Sequence, residues 1–328
     1  LASLRGDPVD RPPVNFGDVE GFESDPFDPD PFRIREEASW KALRQLAEER
    51  SDMILMRQPQ LRPRDAAARC AHFQETCHEH GSSRFRRLRL ETNGHVMQQI
   101  ERRDRETDAW WTTMHLMRDE EDVLAFVGLP DAALDMEPDC TPIHEADAAL
   151  GDRGLAMIDM ADPLGVVASF FSAEDFLVLA VARPDLLHRL LEKVSVAQCA
   201  LTERVARACP GFLWRLHGCE HAAEPYLSPR LFREFALRYA KRQIDIIHAH
   251  GGFVRVHCHG RVRNILPHLV EMEADAVDPL EPPPQGDINL FEARTRYGLM
   301  LTLFGNLQAT DVEGMDPEPF EDLVVRAL

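Results

Sequence analysis

The fold is decided by residues 212–260, which read FLWRLHGCEHAAEPYLSPRLFREFALRYAKRQIDIIHAHGGFVRVHCHG. Two short apolar runs in this stretch predict strands at 212–217 and 253–259. The residues between them predict a helix at 228–250, in which Ser228 is the N-cap and a Gly-Gly pair follows the last turn. A strand, a helix and a second strand in this order indicate a βα unit with parallel strands.

The same alternation continues on both sides of this stretch. The sequence predicts strands at 53–56, 155–159, 275–278 and 300–305, and helices at 36–50, 172–182, 184–208, 262–273 and 289–297 and from 317 onward. No Rossmann glycine fingerprint and no P-loop follows a predicted strand, which favours a closed barrel over an open nucleotide-binding sheet. We therefore expect a (β/α)8 TIM barrel that forms a single domain over residues 1–328.

Two segments are predicted to lie outside the barrel repeat. Residues 1–37 are rich in proline and acids and predict an N-terminal arm, with a short strand possible at 13–16. Strand-like segments on either side of Asn93-Gly94 predict an inserted β-hairpin over about residues 84–104.

The cysteine and histidine residues of 66–80 suggest a second zinc site at first reading. The helical composition of the segment would place Cys70 and Cys77 on one helix face, but the spacings do not fit known zinc modules. We therefore do not predict a metal there.

Composition excludes several classes of protein. Of the 328 residues, 44% are hydrophobic and 28% are charged, as in ordinary globular proteins. A formal charge of −19 argues against nucleic acid and anionic membranes as partners. Seven cysteines without a Cys-x-x-Cys pair predict reduced thiols, and no run has the length of a membrane span. We expect a cytoplasmic protein.

The clearest chemical motif is Arg-Val-His-Cys-His-Gly at residues 255–260. On a strand, His257 and His259 would share one face, at the end where barrel enzymes carry their active sites. Two imidazoles favour a divalent transition metal, with zinc as the first choice, and Glu281 is a candidate third ligand. The alternative is a pair of hydrogen-bonded histidines that line a pocket.

Further candidates follow other predicted strands. We expect catalytic roles for Glu220, Asp278 and Asn306, with Glu220 or Glu281 completing the metal sphere or acting as general base. Arg57, His115 and His217 are candidate substrate-binding residues.

Several motifs together resemble the uroporphyrinogen-decarboxylase-like superfamily, especially its methylcobalamin:coenzyme M methyltransferases. They are Leu-Arg-Gly-Asp-Pro-Val-Asp-Arg-Pro-Pro-Val at 4–14, Ser-Pro-Arg-Leu-Phe at 228–232, Ile-His-Ala-His-Gly at 247–251, the His-x-His-Gly strand end, Glu-Met-Glu-Ala-Asp-Ala at 271–276, and Gly305-Asn306. The resemblance implies a TIM barrel, a small-molecule substrate and a zinc site that activates a thiol. It also implies a separate corrinoid protein as partner, which would bring any cobalamin, and it suggests a homodimer.

The sequence departs from that family in two places. Residues 15–22 lack the arginine-rich segment with which uroporphyrinogen decarboxylase binds its substrate, so that substrate is not expected. His259 stands where the methyltransferases carry a cysteine ligand, which removes a thiolate charge and makes the metal a stronger Lewis acid. The hypothesis is a metal-dependent, methyltransferase-like enzyme, and the alternative is a corrinoid-independent metal-assisted lyase, decarboxylase or hydrolase.

Overall fold

The computed structural model describes residues 2–15, 38–105, 107, 109–305 and 307–327. The described helices are α1 Ala2–Arg5, α2 Ala38–Arg50, α3 Ala66–Cys70, α4 Glu120–Val127, α5 Thr141–Leu150, α6 Pro163–Ser169, α7 Ala173–Ala182, α8 Pro184–Ala208, α9 Pro229–Phe232, α10 Arg238–Ala249, α11 Leu266–Glu271, α12 Leu290–Tyr297, α13 Ala309–Gly314 and α14 Pro317–Ala327. The strands are β1 Met53–Arg57, β2 Gln60–Pro63, β3 Phe73–His80, β4 Ser83–Thr92, β5 His95–Asp104, β6 Trp111–Met114, β7 Met136–Asp139, β8 Gly154–Ala161, β9 Leu213–His217, β10 Phe253–His257, β11 Ala276–Asp278 and β12 Thr302–Leu303.

A parallel six-stranded sheet is the centre of the architecture. Its strand order is β1-β8-β9-β10-β11-β12, and helices follow most of its strands along the chain. This α/β arrangement confirms the predicted fold class. Among the described residues, no pairing between β1 and β12 closes the sheet.

The chain divides into two compact units. The first unit contains Leu1–Pro12, Met160–Gly165 and Leu213–Leu328, and the second contains Pro13–Asp159 and Val166–Phe212. The single domain expected over 1–328 stays a prediction.

In the first unit, the strands have one apolar face and one polar face. Trp214 and Leu216 of β9 and Val254 and Val256 of β10 are buried on one face, while the residues between them alternate to the other. Helix α10 packs against β10. This alternation positions the polar side chains of the candidate site on the face opposite the helix-covered one.

The long helix predicted at 228–250 is present but interrupted. A π-helical turn at Arg233–Leu237 separates α9 from α10, and Ser228 occupies the N-cap position without a side-chain capping bond. The sequence predicts the two ends correctly because Ser-Pro and Gly-Gly mark them, whereas a single inserted residue in a helical turn leaves no such signal.

The second unit contains a small apolar core and an antiparallel sheet. Met53 and Leu55 of β1 pack with Ala156 of β8 and with Ala146 and Leu150 of α5. The antiparallel sheet has the order β3-β4-β5-β6. The predicted hairpin is confirmed as β4 and β5, joined by Asn93 and Gly94, both at positive φ. Helices α7 and α8 also confirm the predictions at 172–182 and 184–208.

The prediction of a helix over residues 66–80 is wrong. Only Ala66–Cys70 is helical, capped by Asp65, and Phe73–His80 is strand β3 at one edge of the antiparallel sheet. Every β3 residue after Phe73 is exposed, so the strand has no alternating apolar pattern by which the sequence could reveal it.

Three other expectations concern the N-terminal arm and membrane spans. Most of the predicted arm, from residue 16 to 37, lies outside the described residues, and 13–15 form no strand. No single helix of the described residues is long and apolar enough to cross a membrane. Helices α6 and α7 pass that test only as a pair, and the chain bends by 118° between them.

Candidate active site at the ends of strands β9 to β11

Three neighbouring strands of the first unit end in polar residues at the same level. In the parallel register, His217 of β9 pairs with His257 of β10, and His257 pairs with Asp278 of β11. Residues in register on adjacent parallel strands point to the same face, so these three side chains share one face. All three residues are site candidates of the sequence analysis, His217 for substrate binding, His257 for the metal and Asp278 for catalysis.

The first histidine–carboxylate pair joins two of these strands. His257 Nδ1 lies 3.0 Å from Asp278 Oδ2, and the side chains are only 14% and 16% exposed. Burial disfavours the charged form of Asp278, but the hydrogen bond with His257 and the positive charges of Arg255 and Arg215 outweigh it and lower its pKa. The lowered pKa favours the carboxylate form of Asp278, which can accept a hydrogen bond from His257 Nδ1.

The second pair lies directly beside the first. His259 Nδ1 lies 3.2 Å from Glu281 Oε1, and Glu281 Oε2 accepts a hydrogen bond from the backbone N–H of Gly260 at 2.7 Å. The rings of His257 and His259 meet edge to face, with centroids 4.6 Å apart. Each imidazole thus has a carboxylate at Nδ1, and Nε2 is the nitrogen left for an external ligand.

Strand β10 ends at His257 and not at residue 259 as predicted. The backbone N–H of Cys258 still donates to the carbonyl of Asp278 at 2.7 Å, and the chain then turns at Gly260, whose φ is +90°. Cys258 is fully buried while His259 is exposed, so the two histidines lie together although only one is on a strand.

Glu220 follows β9 in a tight turn. Its Oε2 accepts a hydrogen bond from Gly218 N at 2.8 Å, and Gly218 has φ +124°. A Cβ on Gly218 would lie 2.3 Å from the Cα of Gly165, so only glycine fits this close approach of two backbones. This turn fixes the position of Glu220.

Sequence analysis did not single out Asp162, which is buried against this turn. Its Oδ1 accepts from Gly165 N at 2.7 Å, and its own N–H donates to the carbonyl of His217 at 2.8 Å. Burial, with the nearby charge of Glu220, raises the pKa of Asp162 to about 8. Its only sequence signal is an acid directly after the apolar run of β8.

Two imidazoles are the donors of this site that could hold a metal ion. In the described part of the chain, no group of three or more His, Cys, Asp or Glu side chains is arranged to hold an ion. Both oxygens of Glu281, the predicted third ligand, contact His259 and Gly260. The donors that fit are the two imidazoles, since metal-binding histidines commonly give their other nitrogen to a carboxylate. Metal binding by all three residues stays a prediction.

The remaining predicted site residues are spread over the chain. Asn306 lies outside the described residues. Arg57, at the end of β1, donates from Nη1 to the carbonyl of Met56 at 2.9 Å, and His115 follows β6. Both belong to the second unit, whereas the histidine pair belongs to the first. Their roles in substrate binding stay predictions.

The candidate site lies within the part of the chain that matches a known protein family. The family model of uroporphyrinogen decarboxylase (URO-D) matches residues 157–325, more than half of the chain and a range that includes both histidine–carboxylate pairs. The chain belongs to the uroporphyrinogen decarboxylase family. This confirms the resemblance drawn from the sequence motifs.

Among solved structures, this URO-D family chain is similar to a methyltransferase from Methanosarcina mazei. The sequence identity is 14%, the TM-score is 0.55, and the match covers 94% of this chain and 81% of the other. At that identity the likeness shows a common fold. No curated protein matches the sequence significantly.

Proposed function

We propose that this URO-D family protein is a methyltransferase-like enzyme that activates a small substrate at a divalent transition-metal ion, zinc in the first instance, held by His257 and His259. The observation that carries the proposal is the pair of adjacent imidazoles, each with a carboxylate at Nδ1. A carboxylate behind a histidine fixes its ring orientation and raises its basicity as a ligand.

With His257 and His259 as ligands, a bound metal would keep open positions for the substrate and water, and a catalytic site needs at least one such position. When bound, the metal would polarise the substrate's heteroatom and favour its deprotonated form. The residues of the chain have separate tasks. Asp278 and Glu281 hold the two rings, and Glu220, which is fixed by its turn, is the candidate base that takes the substrate proton.

The source of the methyl group is proposed to be a corrinoid protein that docks as a separate partner. Support comes from the fold, which is shared with a methyltransferase from Methanosarcina mazei. Spectral titration with methylcobalamin tests this step, because demethylation changes the cobalamin spectrum. An unchanged spectrum with every methyl acceptor offered would contradict methyl transfer.

A second candidate is a corrinoid-independent, metal-assisted lyase or decarboxylase. Two imidazoles without a thiolate favour it, since this ligand set suits Lewis-acid chemistry at oxygen as well as at sulfur. Metal binding that is retained while methylcobalamin stays unchanged would favour this candidate over methyl transfer.

The first experiment is the metal content of the purified protein, measured by elemental mass spectrometry. His257→Ala/His259→Ala is compared with His78→Ala/His80→Ala, which removes a histidine pair of the same spacing from strand β3. We expect about one equivalent of metal in the wild type and the control and a loss in the site variant. No metal in the wild type, or loss only in the control, would contradict the proposal.

A further inference from the structure

Arg255 lies in the middle of β10, two residues before His257, and therefore faces the same side of the sheet. It is only 8% exposed, and its guanidinium carbon lies 5.0 Å from the ring centroid of Phe304. A buried arginine in the centre of a strand carries a large desolvation cost unless a partner offsets it.

That partner is Asp278. Arg255 Nε lies 3.1 Å from Oδ1, in an ion pair that lacks hydrogen-bond alignment, while Oδ2 of the same carboxylate lies 3.0 Å from His257 Nδ1. Arg215, in register with Arg255 on β9, adds a second positive charge that acts on Asp278. One carboxylate thus connects an arginine and a histidine of the same strand.

The ion pair of Asp278 with Arg255 also affects which nitrogen of His257 carries the hydrogen. Arginine is always positively charged, so its ion pair with Oδ1 favours the ionised form of Asp278, which faces His257 with its other oxygen and can only accept there. An accepting carboxylate at Nδ1 requires the hydrogen of the neutral imidazole to be on Nδ1. The lone pair is then on Nε2, the nitrogen that faces an external ligand.

We propose that Arg255 is a positioning residue, which holds the Asp278 carboxylate so that His257 is kept in the tautomer with its hydrogen on Nδ1 and its lone pair on Nε2. The use of that lone pair for a metal rests on the proposed function, whereas the tautomer itself does not. A merely structural ion pair would stabilise the sheet without setting the tautomer.

The test is the tautomer of His257 in the metal-free protein, in the presence of a chelator. Two-bond nitrogen–hydrogen NMR correlations of 15N-histidine-labelled protein report it at a pH where the ring is neutral, and the His257→Gln spectrum assigns the signals. Arg255→Gln is compared with Arg255→Lys and with Arg233→Gln, which removes a surface pair with Glu271.

We expect the Nδ1–H form in the wild type, in Arg255→Lys and in Arg233→Gln. Lysine retains the charge, and the 3.1 Å contact is an ion pair without hydrogen-bond alignment. In Arg255→Gln the ratio of Nδ1–H to Nε2–H should fall at least several-fold, as it should in Asp278→Ala. Zinc affinity should fall about 10- to 100-fold in the same two variants.

A folded Arg255→Gln protein with the wild-type tautomer ratio would overturn the proposal, as would an unchanged ratio in Asp278→Ala. If Arg255→Gln does not fold, Arg255→Met is the second neutral variant, because it keeps an extended side chain against Phe304. The two proposals can also be separated. If the wild-type protein binds no metal but Arg255→Gln still shifts the tautomer ratio of His257, the proposed function is contradicted and this role of Arg255 is supported.

Discussion

The sequence contains the pattern His-x-His-Gly three times, once at the C-terminal end of helix α10 (residues 248–251) and twice at the end of a strand. The two strand ends lie in different surroundings. Residues 257–260 read His-Cys-His-Gly at the end of a parallel strand, and residues 78–81 read His-Glu-His-Gly at the end of the antiparallel strand β3. Both glycines have a positive φ, +90° at Gly260 and +61° at Gly81. The two stretches share three of four residues and the sign of φ at the glycine, although β3 continues through His80 whereas β10 ends at His257.

The neighbouring strands make the difference. In the antiparallel sheet, His78 lies opposite Phe85, on which its ring stacks at 5.3 Å, and His80 lies opposite Ser83. In the parallel sheet, the last residue of β11 and the loop after it bring Asp278 and Glu281 to the two imidazoles. Parallel strands end at a common edge, so polar residues from several strand ends converge there, whereas a hairpin pairs each end with its own return strand.

The largest effect is expected from two glycines that follow strands, Gly218 after β9 of the parallel sheet and Gly81 after β3 of the antiparallel sheet. Gly218→Ala would place a Cβ 2.3 Å from Gly165 Cα at a φ of +124°, whereas a Cβ on Gly81 meets nothing within 4 Å. Left-handed strain costs about 1–2 kcal/mol at either position, and the backbone clash adds about 1–3 kcal/mol at Gly218.

Urea unfolding should therefore show a loss of roughly 2–5 kcal/mol for Gly218→Ala and about 1–2 kcal/mol for Gly81→Ala. Equal losses would mean that the turn before Glu220 can move away from Gly165, and the fixed position of Glu220 would then be in doubt.

The pH dependence of stability should have opposite signs for one carboxyl group beside the parallel sheet, Asp162, and one in the antiparallel sheet, Asp104. The pKa of Asp162 is raised from an ordinary value near 3.8 to about 8, so its folded state holds a proton that the unfolded state releases. The associated stability is complete below about pH 4 and is lost as the pH rises to about 8. At Asp104 of β5, hydrogen bonds from Ser83 and Arg102 lower the pKa, so its contribution is present above pH 4 and is lost toward acid.

Thermal melts of Asp162→Asn and Asp104→Asn between pH 4 and pH 9 test this difference. Relative to the wild type, Asp162→Asn should become more stable as the pH rises, by an amount on the order of a few kcal/mol at pH 9. Asp104→Asn should show its largest loss above pH 4. If the stability difference between Asp162→Asn and the wild type does not change between pH 4 and pH 9, water reaches this carboxyl group and its pKa is not raised by burial.

These two regions also show how far sequence reasoning reaches. The hairpin at Asn93-Gly94 and the helices α7 and α8 were predictable because turn residues and apolar periodicity are local signals. The convergence of His257, Asp278 and Glu281 was predictable from the rule that parallel strands end together.

What the sequence missed depends on contacts between distant segments. Strand β3 was predicted as helix because an exposed edge strand has no apolar alternation. Asp162 and the approach of Gly165 to Gly218 join segments more than 50 residues apart, and only the folded chain brings them together. The part played by Arg255 likewise depends on which carboxylate the neighbouring strand presents.

The smallest effect is expected from making the two histidine patterns identical. Glu79→Cys converts residues 78–81 into His-Cys-His-Gly, the sequence of residues 257–260, and removes the ion pair of Glu79 with Arg84. Loss of that pair should cost less than about 1 kcal/mol, as for most surface pairs. In the His257→Ala/His259→Ala background, this change should add no bound zinc, because β4 presents Phe85 and Ser83 where the parallel sheet presents carboxylates. A gain of one equivalent of zinc would show that the four-residue pattern is sufficient, and the carboxylates of the strand ends would lose the role assigned to them here.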